Sequence, residues 1–280
     1  MPKVANIKNV LIALNEEGEG RPSDALSYGL ALGKATDAHV SVQAASVKLD
    51  IPSAHGSAVV AGLVHQENRR LQELTRRIAE TTRAEGAMAG LICEVDAPQL
   101  TYAELKAAAL AQARVNDVVV VDADPSAMTV DGGLLRALVF ESGRPVIVVP
   151  RGSQTFACDR IVVAWDASAA AARAVAAALP FLKAAASVEI VCYVGDKDVP
   201  RSAAGADLAV ALVRHGVNAT VKELPAGNDV GARLREQAGI HRADLIVMGA
   251  FVHSPIREWI FGGVTQEMLK NSGAPLLVAR

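Results

Sequence analysis

Cysteine is scarce: Cys93, Cys158 and Cys192 are the whole complement of a 280-residue chain. Their number is odd, their spacing wide, and no CxxC pair or neighbouring histidine cluster accompanies them. That excludes a disulfide framework and a zinc knuckle, and it reads as reduced thiols in a reducing compartment. Aromatic residues make up only 4%, so the core is to be built from small aliphatic side chains. No sign of charge dominates either. The formal net charge of −2 excludes the basic footprint of a nucleic-acid binder at the level of the whole chain. Residues 1–150 carry 14 Lys/Arg against 18 Asp/Glu (14 − 18 = −4), and residues 151–280 carry 14 against 12 (14 − 12 = +2). A slightly positive second half suits an anionic ligand. No stretch reaches the roughly 18–20 uninterrupted apolar residues of a membrane span. The opening MPKVANIKNVLIAL has too short an apolar run, and no cleavage pattern, for a signal peptide. A soluble, cytoplasmic protein is expected.

What is present is aliphatic: 51% hydrophobic residues and a mean hydropathy of +0.26, with alanine and valine prominent. Buried parallel strands packed under alanine-rich helices have that composition. The chain also reads twice. NVLIALNEE (9–17) resembles RIVVAWDAS (160–168), NDVVVVDAD (116–124) resembles ADLIVMGAF (243–251), and ESGRPVIVVPRG (141–152) resembles NSGAPLLVAR (271–280). The matches keep their order at offsets of 151, 127 and 130 residues, the pattern of a duplication. RGSQTFACD (151–159) lacks periodicity and marks the seam, giving domains at 1–152 and 159–280.

Apolar runs predict strands at 9–14, 39–46, 90–95, 117–121 and 145–149 in the first half. In the second they predict strands at 160–165, 188–194, 219–224, 244–248 and 275–279. Helical spacing of Val60, Leu63, Val64, Leu71, Leu74 and Ile78 predicts a long helix over 58–85. Further helices are expected at 168–183, 203–215, 229–241 and 264–272. Such alternation gives an α/β fold of two doubly wound, five-stranded parallel-sheet domains.

Ligands of such sheets bind beyond the carboxyl ends of the strands, where strand order reverses. In the second half that directs attention to Asp166 after IVVAW and to Gly249 after DLIVM, followed by His253, Ser254, Arg257 and Gly262-Gly263-Val264-Thr265. A glycine pair opening a helix can aim successive N–H groups at one anion, and the helix dipole favours negative charge there. Thr265 offers a hydroxyl, and Arg257 and His253 offer charge-assisted bonds. Asp166 reads equally as a ribose contact and as the N-cap of the helix that follows.

VVAWDAS, ADLIVMGAF and GGVTQEMLKNSGAPLLV together resemble the universal stress protein family in its tandem two-domain form. The resemblance extends over the whole chain and is sharper in residues 160–280. It implies a fold related to that of the adenine-nucleotide α-hydrolases, and a stress-related regulatory protein holding ATP or a related adenine nucleotide in its C-terminal domain. Hydrolysis would be slow if it occurs at all. Carried over residue by residue, Asp166 takes the ribose and Val194, in VCYV, meets the base. Met248 and Gly249 open the Gly-x2-Gly-x9-Gly-Ser/Thr loop, Gly262 is its third glycine, and Val264 and Thr265 end it. Two departures stand out: Val252 replaces the second glycine, and Gly263 replaces the Ser/Thr.

The first half departs further. Asn15 replaces the aspartate, Asp122 replaces the first glycine and Leu135 replaces Thr265. Carboxylates at Asp122, Asp124 and Asp131 would repel phosphate, so no nucleotide is expected there. The Gly132-Gly133 pair is expected to remain as a turn into a helix over 134–142. The alternative reading is a nucleotide-free interaction scaffold. VVVVDADPS (118–126) also matches the Asp-x-Asp of haloacid-dehalogenase phosphatases, but it sits on a fourth strand, not a first. DASAAAA lacks the glycines of a PP-loop ATPase. The sequence shows no assembled nucleophile set and no metal-ligand spacing, so neither catalysis nor a structural metal is expected. The matching final strands PVIVV (145–149) and PLLVA (275–279) should pair edge to edge in an intramolecular pseudo-dimer, because open strand edges tend to be covered. The remaining apolar surface leaves room for a homodimer of whole chains.

Overall fold

The computed structural model describes residues 4–15, 23–50, 58–123, 130–194, 205–225, 229–250 and 263–280. Strands are β1 (Asn9–Asn15), β2 (His39–Val47), β3 (Cys93–Asp96), β4 (Gln99–Leu100), β5 (Val118–Asp122) and β6 (Val146–Val149) in the first half. The second half has β7 (Arg160–Ala164), β8 (Ser187–Val194), β9 (Ala219–Pro225), β10 (Leu245–Gly249) and β11 (Leu276–Ala279). Helices are α1 (Asp24–Thr36), α2 (Ala58–Met88), α3 (Tyr102–Val115), α4 (Val130–Glu141), α5 (Ala169–Ala184), α6 (Ala206–Arg214), α7 (Val230–His241) and α8 (Gly263–Asn271). The apolar runs and the strands coincide within about three residues, the ordinary uncertainty of element ends. The short β4, which pairs in parallel with the end of β2, carries no apolar run and was not expected.

Each half is a parallel sheet, ordered β3-β2-β1-β5-β6 and β9-β8-β7-β10-β11. The chain therefore leaves the first strand of each half in one direction and returns on its other side, creating a switch point between β1 and β5 and another between β7 and β10. Helices cover both faces, and the central strands β1, β5, β6, β10 and β11 read as aliphatic runs because neither face meets water, whereas the edge strands β3 and β9 stay largely exposed. One core layer gathers Val10, Ile12, Val120, Ile161, Val163, Phe181 and Leu277; the other gathers Leu11, Val119, Leu138, Val162, Ile246 and Met268.

Local chemistry starts and stops the helices. Ser23 caps α1 by accepting from the Leu26 N–H, and Thr101 with Glu104 forms a reciprocal capping box at α3. Ser168 and Asp229 cap α5 and α7 in the same way. Asp37 and Arg242 end α1 and α7 in the left-handed conformation. Two carboxylates repeat one strand-start contact: Asp117 accepts from the Lys8 and Asn9 N–H groups, and Asp244 from the Arg160 N–H.

β6 and β11 join the halves. They pair antiparallel, Ile147 opposite Leu277, with Val148 facing Leu276 and Val146 facing Val278. Ile147 and Leu277 are 130 positions apart, the offset of the repeated terminal segments, so a pseudo-dyad runs through that pair perpendicular to the sheet. Phe156, from the seam, stands edge-on between Tyr28 of α1 (5.6 Å between centroids) and Phe181 of α5 (6.2 Å). Arg280 lies over the Phe140 ring of α4, a cation–π contact from the end of one half to the other. The seam is thus more than a spacer.

Candidate functional site

The strand ends of the second half bring Asp166, Gly249 and the start of α8 to one end of the sheet. Asp166 is exposed, two residues beyond β7. One of its carboxylate oxygens accepts from the Ser168 N–H at 2.9 Å, closing a small turn, and the residue between, Ala167, has a φ of 60°. A left-handed alanine costs about 1–2 kcal/mol, so this turn stores strain beside the candidate ribose contact. Asp166 is not the helix cap: Ser168 fills that role through the Ala171 N–H at 3.1 Å. One of the two readings open for Asp166 is thereby corrected, because capping geometry belongs to the residue immediately before the first helical one.

Gly249 ends β10 under the first turn of α5. A Cβ there would lie 2.5 Å from the Ala171 nitrogen and 2.6 Å from the Ala170 carbonyl carbon, backbone atoms that cannot step aside. The glycine is demanded by this helix–strand contact whether or not a phosphate comes near. Met248, one residue earlier, is buried among the apolar residues under α7 and α8. Val194 ends β8 opposite Pro225 of β9. Beside it the Tyr193 hydroxyl donates to the Val230 carbonyl at 2.8 Å, tying the end of β8 to the first turn of α7, and burial pushes its pKa up to about 12.

Gly263 is the first residue of α8; it is exposed, and a Cβ there would meet no atom of the described residues within 4 Å. Val264 is exposed too, so the N-terminal turn of α8 opens to solvent at the switch-point end of the sheet. Thr265 differs from expectation. It is 1% exposed, so its side chain belongs to the packing of α8 and is no solvent-facing phosphate donor. The third residue of this helix faces inward, and a sequence motif does not reveal that phase. Ser254, His253, Arg257, Gly262 and Val252 lie outside the described residues.

The corresponding end of the first half is arranged differently. Gly132 and Gly133 are not a turn before a helix; α4 starts at Val130 and contains both. A Cβ on Gly133 would collide with the Tyr102 hydroxyl, so the glycine admits the Tyr102 ring against the first turn of α4. Asp122 does not face an open loop. Its carboxylate accepts from the Ser23 hydroxyl at 2.6 Å and from the Ala25 N–H at 2.8 Å, gripping the start of α1. Burial pushes its pKa above the usual carboxylate range, against the downward pull of those bonds. Tyr102 was missed in the sequence because only the α3–α4 packing gives it a role. Among the described residues no group of three or more His, Cys, Asp or Glu gathers to hold a metal, and no helix is long and apolar enough to cross a membrane.

The universal stress protein family model matches residues 158–280, the segment that carries the open α8 turn, Asp166 and Gly249. Residues 158–280 form a universal stress protein domain. The structure of a universal stress protein from Archaeoglobus fulgidus superposes on the whole chain with a TM-score of 0.68 at 16% identity, covering 96% of each chain. A Pseudomonas aeruginosa structure described as a universal stress protein gives a TM-score of 0.54 at 14% identity, covering 98% of this chain and 93% of its own. At these identities the likeness is one of fold. It reaches the first half as well as the universal stress protein domain. Among curated proteins none matches the chain.

Proposed function

We propose that the chain is a tandem universal stress protein whose C-terminal domain binds ATP or a related adenine nucleotide as a regulatory ligand, one per chain. The observation that carries this reading is the α8 N-terminus, exposed at Gly263 and Val264 at the switch-point end of the sheet, where a helix start favours an anion. Asp166 supports it with a carboxylate that keeps one oxygen beyond the Ser168 contact for a ribose hydroxyl. Backbone N–H groups of the α8 turn take the phosphates in this reading, with Arg257 and His253 as candidate cations. The first half contributes a degenerate copy and no nucleotide. No side chain is assigned a catalytic role. The intracellular setting suggested by three reduced cysteines belongs to the same proposal.

One observation favours the rival, a nucleotide-free interaction scaffold: Thr265 is buried and withdrawn from the phosphate role. Calorimetric titration with ATP separates the two. One site per chain is expected; no heat up to millimolar ATP supports the scaffold, and two sites would overturn the assignment to the second half. Asp166→Ala should weaken adenosine and ATP alike, by roughly 1–3 kcal/mol for a hydrogen bond to a charged group. Gly262→Val should penalise ATP far more than adenosine, because only phosphates use that loop.

A further inference from the structure

The two halves present the same topological crevice, yet they treat its lining oppositely. In the second half Gly249 brings bare backbone to the α5 turn, and among the described residues nothing stands within 4 Å of a Cβ placed on Gly263 of α8. In the first half each of those places is taken by a side chain of the protein itself. At the end of β5, paired with β1 across the switch point, the Asp122 carboxylate binds the Ser23 hydroxyl and the Ala25 N–H at the start of α1. At α4 the Tyr102 ring lies against Gly133. Tyr102 is the first residue of α3, and its counterpart, the first residue of α7, is the small Val230.

We propose that the first half is a self-liganded copy of the binding crevice, in which Asp122 and Tyr102 stand in for an anionic ligand and determine that none enters. A carboxylate held by a helix-start N–H and a hydroxyl satisfies the donors that would otherwise recognise a phosphate or carboxylate from solution. Its position on the strand end makes the internal ligand effectively permanent, because no translational freedom is lost when it binds. The Tyr102 ring blocks the approach to α4 by bulk, where Asp122 blocks by charge and occupancy. The two residues act on helices of opposite faces of the sheet, so both lips of the crevice are closed. The contacts that close this crevice all lie inside the first half, and the reading rests on the proposal that a crevice of this kind holds an adenine nucleotide.

The test replaces both residues by their second-half counterparts, Asp122→Gly with Tyr102→Val, in the full-length chain, and counts ATP sites by calorimetry. The variant is expected to gain one site over wild type, whether wild type shows one or none. A failure of the second-half reading alone is therefore seen as zero sites becoming one. An unchanged count in a variant that still melts cooperatively overturns self-liganding. Should the variant not fold, the wild type answers by amide resonances during titration with inorganic pyrophosphate. The Ala25 and Gly133 resonances should stay in place up to several millimolar; saturable movement of either overturns the proposal.

Discussion

Gly249 and Asp122 occupy matching strand ends, and each is set by its distance from a helix start. Gly249 lies so close to the Ala170–Ala171 backbone that Gly249→Ala must push α5 away from β10. The expected cost is about 1–3 kcal/mol, the range for overpacking a tight site, read as a lower urea midpoint; an unchanged midpoint would contradict the contact. Asp122 makes a pH argument of determined sign. Burial raises its folded-state pKa above the unfolded value, so the folded chain holds that proton more tightly. The associated stability is fully present below the unfolded pKa and is lost as pH rises through the folded one. Asp122→Asn keeps an acceptor for the Ala25 N–H and removes the titration. Urea unfolding at pH 3 to 7 should show wild type gaining relative to the variant toward acid; parallel profiles would refute it. Ala167, left-handed between Asp166 and Ser168, gives a third outcome: Ala167→Gly should stabilise by roughly 1 kcal/mol in thermal melts, by relieving strain that only glycine avoids.

Among the elements, β6 and β11 carry the largest consequence. They are the terminal strands of their halves, each four residues long and wholly buried, and they complete one another's hydrogen bonding at the pseudo-dyad. Leu277 has no exposed surface. Leu277→Asp would bury a carboxylate among aliphatic side chains, with a cost of several kcal/mol. It should also divide a single thermal transition into two, as the halves lose their shared strand pair; one unchanged transition would show that Leu277 couples nothing. The seam reinforces the pairing, since Phe156 fills the space between Tyr28 and Phe181 and the Gly152 N–H donates to Asp24 of α1. Apolar runs marked the central strands because burial on both faces forces aliphatic side chains there. They did not mark Phe156, whose partners are 128 residues upstream and 25 downstream.

At the scale of the molecule, the strand order makes one continuous sheet that crosses the pseudo-dyad. Small-angle scattering should therefore give a single compact particle; two separated lobes with interdomain freedom would refute the shared sheet. The same asymmetry of the two crevices bears on stoichiometry, with one nucleotide per chain expected, and on regulation, because only one half would then respond to a ligand.

The sequence by itself determined the alternation of strands and helices, the twofold repeat and the pair of strand ends that flank the switch points. Those features follow from periodicity and local propensity, which act over a few residues and are written in the order of the chain. It also determined that Asp122 and Gly249 occupy matching positions with opposite chemistry. Only the tertiary structure decided what that chemistry does. Asp122 binds a helix start 97 residues away, Tyr102 fills the hollow of Gly133, Ser168 takes the cap that Asp166 was eligible for, and Thr265 turns into the core. Each depends on the distance and rotation between packed elements. Those quantities are set by the whole core at once, so no short stretch of residues contains them.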